Sequence, residues 1–125
     1  MANNPELHWT VDKFALADAP ASGGTVTLAS SGNSHGRGVG SLAINIRTSH
    51  DSATDGLVVK VRFDPSEAWI TWWSQTHLAA TAATPVAQYE VPLRGIPYWE
   101  VVYTNSANTL TDFRGSISAS AFLVV

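Results

Sequence analysis

Gly56-Leu-Val-Val-Lys-Val-Arg-Phe-Asp64 decides how this chain is read, because Leu57, Val59, Val61 and Phe63 alternate with Val58, Lys60 and Arg62. Successive side chains of a strand point to opposite faces, so this spacing predicts a strand with one face turned to a core. Outward from it the same period recurs. Ser41 to Thr48 sets Leu42, Ile44 and Ile46 against Ser41, Ala43, Asn45 and Arg47. Gly24 to Ser30 turns Val26 and Leu28 inward, and Leu7 to Phe14 reads as a weaker first strand or arm. Turn formers separate these runs at Ala21-Ser-Gly-Gly24, Ser31-Gly-Asn33 and Thr54-Asp-Gly56.

Further strands are expected at Glu67 to Ser74, Gln88 to Leu93, Tyr98 to Thr104, Thr109 to Arg114 and Ser116 to Val125. Pro92 lacks an N–H, which confines its strand to a sheet edge or to its last residue. No segment keeps a 3.6-residue apolar stripe. The expectation is an all-β fold: a single antiparallel β-sandwich, jelly-roll or Ig-like, of eight or nine short strands. Two stretches fit no strand. Ser30 to Gly40 reads as a glycine-rich loop, and Gln75 to Ala87 as a long loop, a helical turn or a segment ordered by a neighbour.

At 125 residues the chain is expected to be one domain, spanning 1–125, with residues 1–6 as a polar N-terminal arm. It has no cysteine, which rules out disulfides and cysteine-held zinc. The start Met1-Ala-Asn-Asn-Pro-Glu-Leu lacks the basic and apolar regions of a signal peptide, so synthesis in a cytoplasm is expected. No apolar run approaches the ~20 residues of a membrane helix, so no membrane partner is expected. Net charge is −3, from 7 basic and 10 acidic residues. That balance speaks against nucleic acid, whose phosphates are neutralised by Lys and Arg. The charged fraction is 14%, low against the ~25% usual for soluble domains. With five Trp, the composition suits a subunit that lives in an assembly.

Trp99-Glu-Val-Val-Tyr-Thr-Asn-Ser106 is the most distinctive phrase. It reads as a strand, followed by a turn over Thr104 to Asn108 and a return strand from Thr109 through Phe113-Arg114. From Tyr89 to the C-terminus this resembles the terminal hairpin of many small structural proteins of tailed bacteriophages. Their pattern is aromatic-x-Val-x-Tyr-Thr-Asn-Gly, a polar link, then Phe-Arg. Ser106 stands here where the pattern has Gly, and Glu100 where a basic residue is frequent. The resemblance implies a virion structural protein. It points to a capsid decoration (cement) protein that binds major capsid subunits on the outer capsid surface, often as a homotrimer. A tail, baseplate or fibre component carries the same hairpin. A carbohydrate- or host-binding sandwich is the rival class, on the strength of the tryptophans.

No catalytic signature emerges. The glycine loop lacks the Gly-Lys-Ser/Thr ending of a phosphate loop. His8, His35, His50 and His77 form no metal-binding pair, and His50-Asp51 with Asp55 reads as a solvated turn. Asp64, Glu67, Glu90 and Glu100 show no pair spacing, and no Gly-x-Ser-x-Gly elbow is present. Neither enzymatic activity, nor cofactor, nor metal is expected.

The candidate residues for a protein interface are Trp69, Trp72, Trp73, Tyr98, Phe122 and Val124. Strict alternation places Trp69 and Trp73 on one face of their strand and Ile70 and Trp72 on the other. On the last strand Ile117, Ala119, Ala121, Leu123 and Val125 share one face. Ser116, Ser118, Ser120, Phe122 and Val124 share the other, which turns apolar only at its end. Self-association through an edge carrying Phe122 and Val124 is therefore expected.

Overall fold

The computed structural model describes residues 8–31 and 39–121. The arm at 1–6, the central part of the glycine loop, and Phe122 and Val124 lie outside the described residues. Eight strands follow in order: β1 (His8–Phe14), β2 (Thr25–Ser30), β3 (Val39–Thr48), β4 (Ser52–Arg62), β5 (Ile70–Gln75), β6 (Ala87–Pro92), β7 (Tyr98–Asn105) and β8 (Phe113–Ala121). A single 3₁₀ turn, Leu16–Asp18, is the only helical segment among the described residues.

Two four-stranded sheets form, in the orders β1-β8-β3-β6 and β2-β7-β4-β5. All pairings are antiparallel. First pairs with last, second with second-last, and so inward to β4 with β5. That is one long antiparallel ribbon folded at its middle and rolled up, with the β3·β8 and β4·β7 pairs closing the roll. The strand order is that of the jelly roll, which resolves the topology that alternation alone leaves open.

Alternation puts the core where the sequence places it. Leu42, Ile44 and Ile46 from β3 face Leu57, Val59 and Val61 from β4, all buried. Trp99, Val101 and Tyr103 of β7 and Phe113, Ile117 and Ala119 of β8 complete the two central layers. Each such large apolar side chain contributes roughly 1.5–3 kcal/mol on burial. Pro92 ends β6, a sheet edge, where its missing N–H costs no ladder bond.

Three expectations are corrected. The Tyr103-Thr104-Asn105 phrase does not turn a hairpin, because β7 lies in one sheet and β8 in the other. The turn is instead a corner between layers. Asn105 is buried there and its Nδ2 donates to the carbonyls of Asn108 at 2.8 Å and Ala21 at 3.3 Å. Phe113 to Ala121 is one strand running through Gly115, since the backbone there passes too close to Asn45 and Phe14 for any side chain. β8 is also no sheet edge: β1 pairs on one side and β3 on the other. Phe122 and Val124, which carry the expected self-association, follow this paired stretch and lie outside the described residues.

Phe63 departs too. β4 ends at Arg62, and Phe63 is 60% exposed rather than part of the inward row. The Gln75 to Ala87 stretch is ordered by its own chain. Ser52 N–H donates to His77 O at 2.8 Å, His77 N–H to Ser52 Oγ at 2.9 Å, and Ala80 N–H to Thr48 O at 3.0 Å.

Candidate interaction surface

The β4–β5 connection is built by its own acidic residues. Asp64 Oδ1 accepts from Ser66 N–H at 2.9 Å and Ser66 Oγ–H at 2.6 Å, which holds its carboxyl below the usual range. Glu67 Oε1 accepts from Phe63 N–H at 3.0 Å, and Glu67 N–H donates to Asp64 O at 3.0 Å. These bonds fix a short turn that holds Phe63 outward. Ile70, opposite Val61 in the ladder, is 50% exposed. Since Phe63 lies two residues beyond Val61, the two apolar side chains belong to one end of the β4–β5 pair.

The tryptophans divide by role. Arg62 stacks its guanidinium 4.1 Å above the Trp69 ring, covering it. Trp73 opposes Val59, is half-buried, and tilts against Tyr89 with ring centroids 5.6 Å apart. Trp72 departs from strict alternation. The ladder slips between Val59 and Lys60, which oppose Trp73 and Thr71, so Trp72 is the extra residue of a β-bulge. Its ring is 46% exposed while its indole N–H donates to Pro92 O at 2.8 Å. Trp99 is buried, and Tyr98 is half-buried opposite Arg62. Trp72 is thus the candidate Trp with an open ring, and the stacked platform of a sugar-binding sandwich is not assembled by Trp69, Trp72, Trp73 and Trp99. On β5 and the turn before it the exposed large apolar residues are Phe63, Ile70 and Trp72, two of which the interface reading missed; Leu16, Leu78 and Val86 are exposed elsewhere. Phe63 continues an inward-facing row in the sequence, and only the end of the ladder turns it out.

The acidic residues tested for glycosidic chemistry are dispersed. Asp64 and Glu67 cap the turn, Glu90 opposes Ala43 on one sheet, and Glu100 opposes Lys60 on the other. Among the described residues no group of His and carboxylate side chains could hold a metal.

One buried imidazole escaped the sequence reading, which saw only four scattered histidines. His77 is 1% exposed and its Nδ1 lies 3.0 Å from Tyr89 Oη. Burial pulls its pKa down to about 4, partly offset by Asp51. It sits in a run of ring contacts through the core: Phe14 to Phe113 at 5.1 Å, Phe113 to Tyr103 at 5.2 Å, Tyr103 to His77 at 6.3 Å, His77 to Tyr89 at 6.1 Å. Burial also pushes the Tyr103 phenol up to about 12 and raises that of Tyr89. These rings join β1, β8, β7 and β6 with the connection that carries His77, and their role is packing.

Compared with known families, with curated proteins and with solved structures, the chain matches none.

Proposed function

We propose that this chain is a structural protein of a bacteriophage virion, acting by adhesion as a capsid decoration protein that bridges major capsid subunits. The observation that carries the reading is the exposed apolar group Phe63, on a turn braced by Asp64 and Glu67, with Ile70 and Trp72 on the adjoining strand β5. A monomer gains nothing from holding three large apolar groups in water, whereas a contact surface does. The low charged fraction of 14% agrees with a surface largely covered in an assembly. Association as a homotrimer belongs to the same reading, through this end of the β4–β5 pair. Many weak contacts repeated over a shell add up, because subunits bridged by one copy must separate together.

The jelly-roll strand order favours a second role within the virion. The same roll builds the shells of many viruses, as well as lectins and cupins, so a shell-forming subunit is the alternative by fold analogy. Incubation with expanded, preassembled capsids of the encoding virus tests both. A decoration protein is retained saturably, with little dependence on salt, and raises the capsid's resistance to heat. Closed shells formed by the chain alone, seen by electron microscopy, would replace decoration with shell building. Neither retention nor shells would sink the virion reading.

A further inference from the structure

On the outer face of the β1-β8-β3-β6 sheet, Arg47 of β3 lies directly opposite Arg114 of β8. Like charges facing each other across a ladder destabilise a sheet. The chain has net charge −3 and only seven Lys and Arg residues, so two of them meeting on one face is a marked concentration of positive charge. A third cation, Lys13 of β1, lines the same groove of about 670 Å³. Three of the seven Lys and Arg residues therefore converge on one concavity.

The groove is built rather than incidental. Asp112 holds the two guanidinium groups side by side, accepting Arg47 Nε–H at 2.8 Å and pairing with Arg114 Nε at 3.3 Å. Arg47 Nη1–H donates to Pro85 O at 2.9 Å, which fixes the fork. Asp18, the other acid on the rim, is occupied in accepting Ala15 N–H at 2.9 Å. Lys13 is exposed and its ammonium has no partner among the described residues. Arg114 has 64% of its side chain exposed. Gly115 lines the groove where Phe14 packs against its backbone, and Phe14 and Val86 supply the apolar lining. The volume falls within the ~300–1,000 Å³ of small-molecule sites.

We infer that this groove binds a small anionic ligand. Its carboxylate or phosphate bridges Arg114, Arg47 and Lys13, and its uncharged body lies against Phe14 and Val86. Planar guanidinium forks match such anions in two-point contact. Asp112 offsets the repulsion between the two arginines, and with Asp18 it still leaves three cations against two carboxylates, an excess of positive charge for an anionic ligand. The inference does not rest on the virion reading and survives its failure.

The test is a backbone amide NMR titration with glucuronate, inorganic phosphate, glucose and sodium chloride. Saturable shifts confined to Lys13, Arg47, Arg114 and their neighbours are expected with glucuronate and with phosphate, each displacing the other. Glucose and sodium chloride should give none. Tighter binding of glucuronate assigns a carboxylate ligand, and tighter binding of phosphate assigns a phosphorylated one. Arg114→Ala and Lys13→Ala, both at exposed side chains, should each weaken binding roughly tenfold, while Lys60→Ala on the other sheet leaves it unchanged. Shifts that never saturate, that sodium chloride reproduces, or that saturate with unchanged affinity in Arg114→Ala would overturn the proposal.

Discussion

Trp72 donates its indole N–H to the carbonyl oxygen of Pro92 at 2.8 Å, joining the edge strand of one sheet to the edge strand of the other. Trp73 reinforces the same seam through Tyr89. The bulge that makes Trp72 an extra residue turns its polar edge toward β6 while leaving part of the ring in water. One side chain therefore closes the side of the roll and offers an apolar surface.

These two duties separate by substitution. Trp72→Phe keeps most of the ring but loses the donor, leaving the Pro92 carbonyl to water. It should destabilise the fold by about 1 kcal/mol, read as a lower urea midpoint with an unchanged slope. Association with other subunits should persist. If Trp72→Phe leaves the midpoint where it was, the bond adds nothing to the seam.

Gly115 is predicted to tolerate no side chain. A Cβ there would fall within contact distance of the Asn45 carbonyl oxygen and 2.6 Å from Phe14 Cζ. The ring can tilt, but the carbonyl belongs to the β3 ladder and cannot. Gly115→Ala should cost more than about 3 kcal/mol, in the range of severe overpacking. Soluble protein with a wild-type melting temperature would show that β8 runs differently.

Stability should fall on mild acidification because of His77. Its folded pKa of about 4 lies below the ordinary 6.5, since burial disfavours the cation. As pH falls, the unfolded chain takes the proton first. The contribution is complete above pH 6.5, declines between 6.5 and about 4, and levels off below that. The loss should be on the order of 2–3 kcal/mol. Urea unfolding at stepped pH measures it, with His77→Gln as reference. If the variant shows the same dependence across this window, the imidazole is not the cause.

Much of the architecture was legible because a period of two is a direct image of a pleated sheet. Leu42, Ile44, Ile46, Leu57, Val59 and Val61 were placed inward by alternation and are buried. Ladder connectivity was not legible. Tyr103-Thr104-Asn105 reads as a hairpin because turn residues mark a change of direction without saying which sheet receives the next strand. Asn105, whose amide pins that corner, shows its role only through partners distant in sequence, such as Ala21. The site was half legible for the same reason. Trp69, Trp72 and Trp73 announce themselves by type, but their exposure depends on a bulge, on Arg62 above Trp69, and on Tyr89 beside Trp73. Arg47 and Arg114 are far apart in the chain, and nothing short of the register sets them opposite each other.

The central claim is that Phe63, Ile70 and Trp72 form a subunit contact, and sedimentation velocity on a double variant tests it most directly. Phe63→Ser with Ile70→Ser removes two side chains that are 60% and 50% exposed, so the melting temperature should change little. The account predicts that the wild type sediments as an oligomer at micromolar concentration and the variant as a folded monomer. A wild type and a variant that sediment identically, both folded, would contradict it.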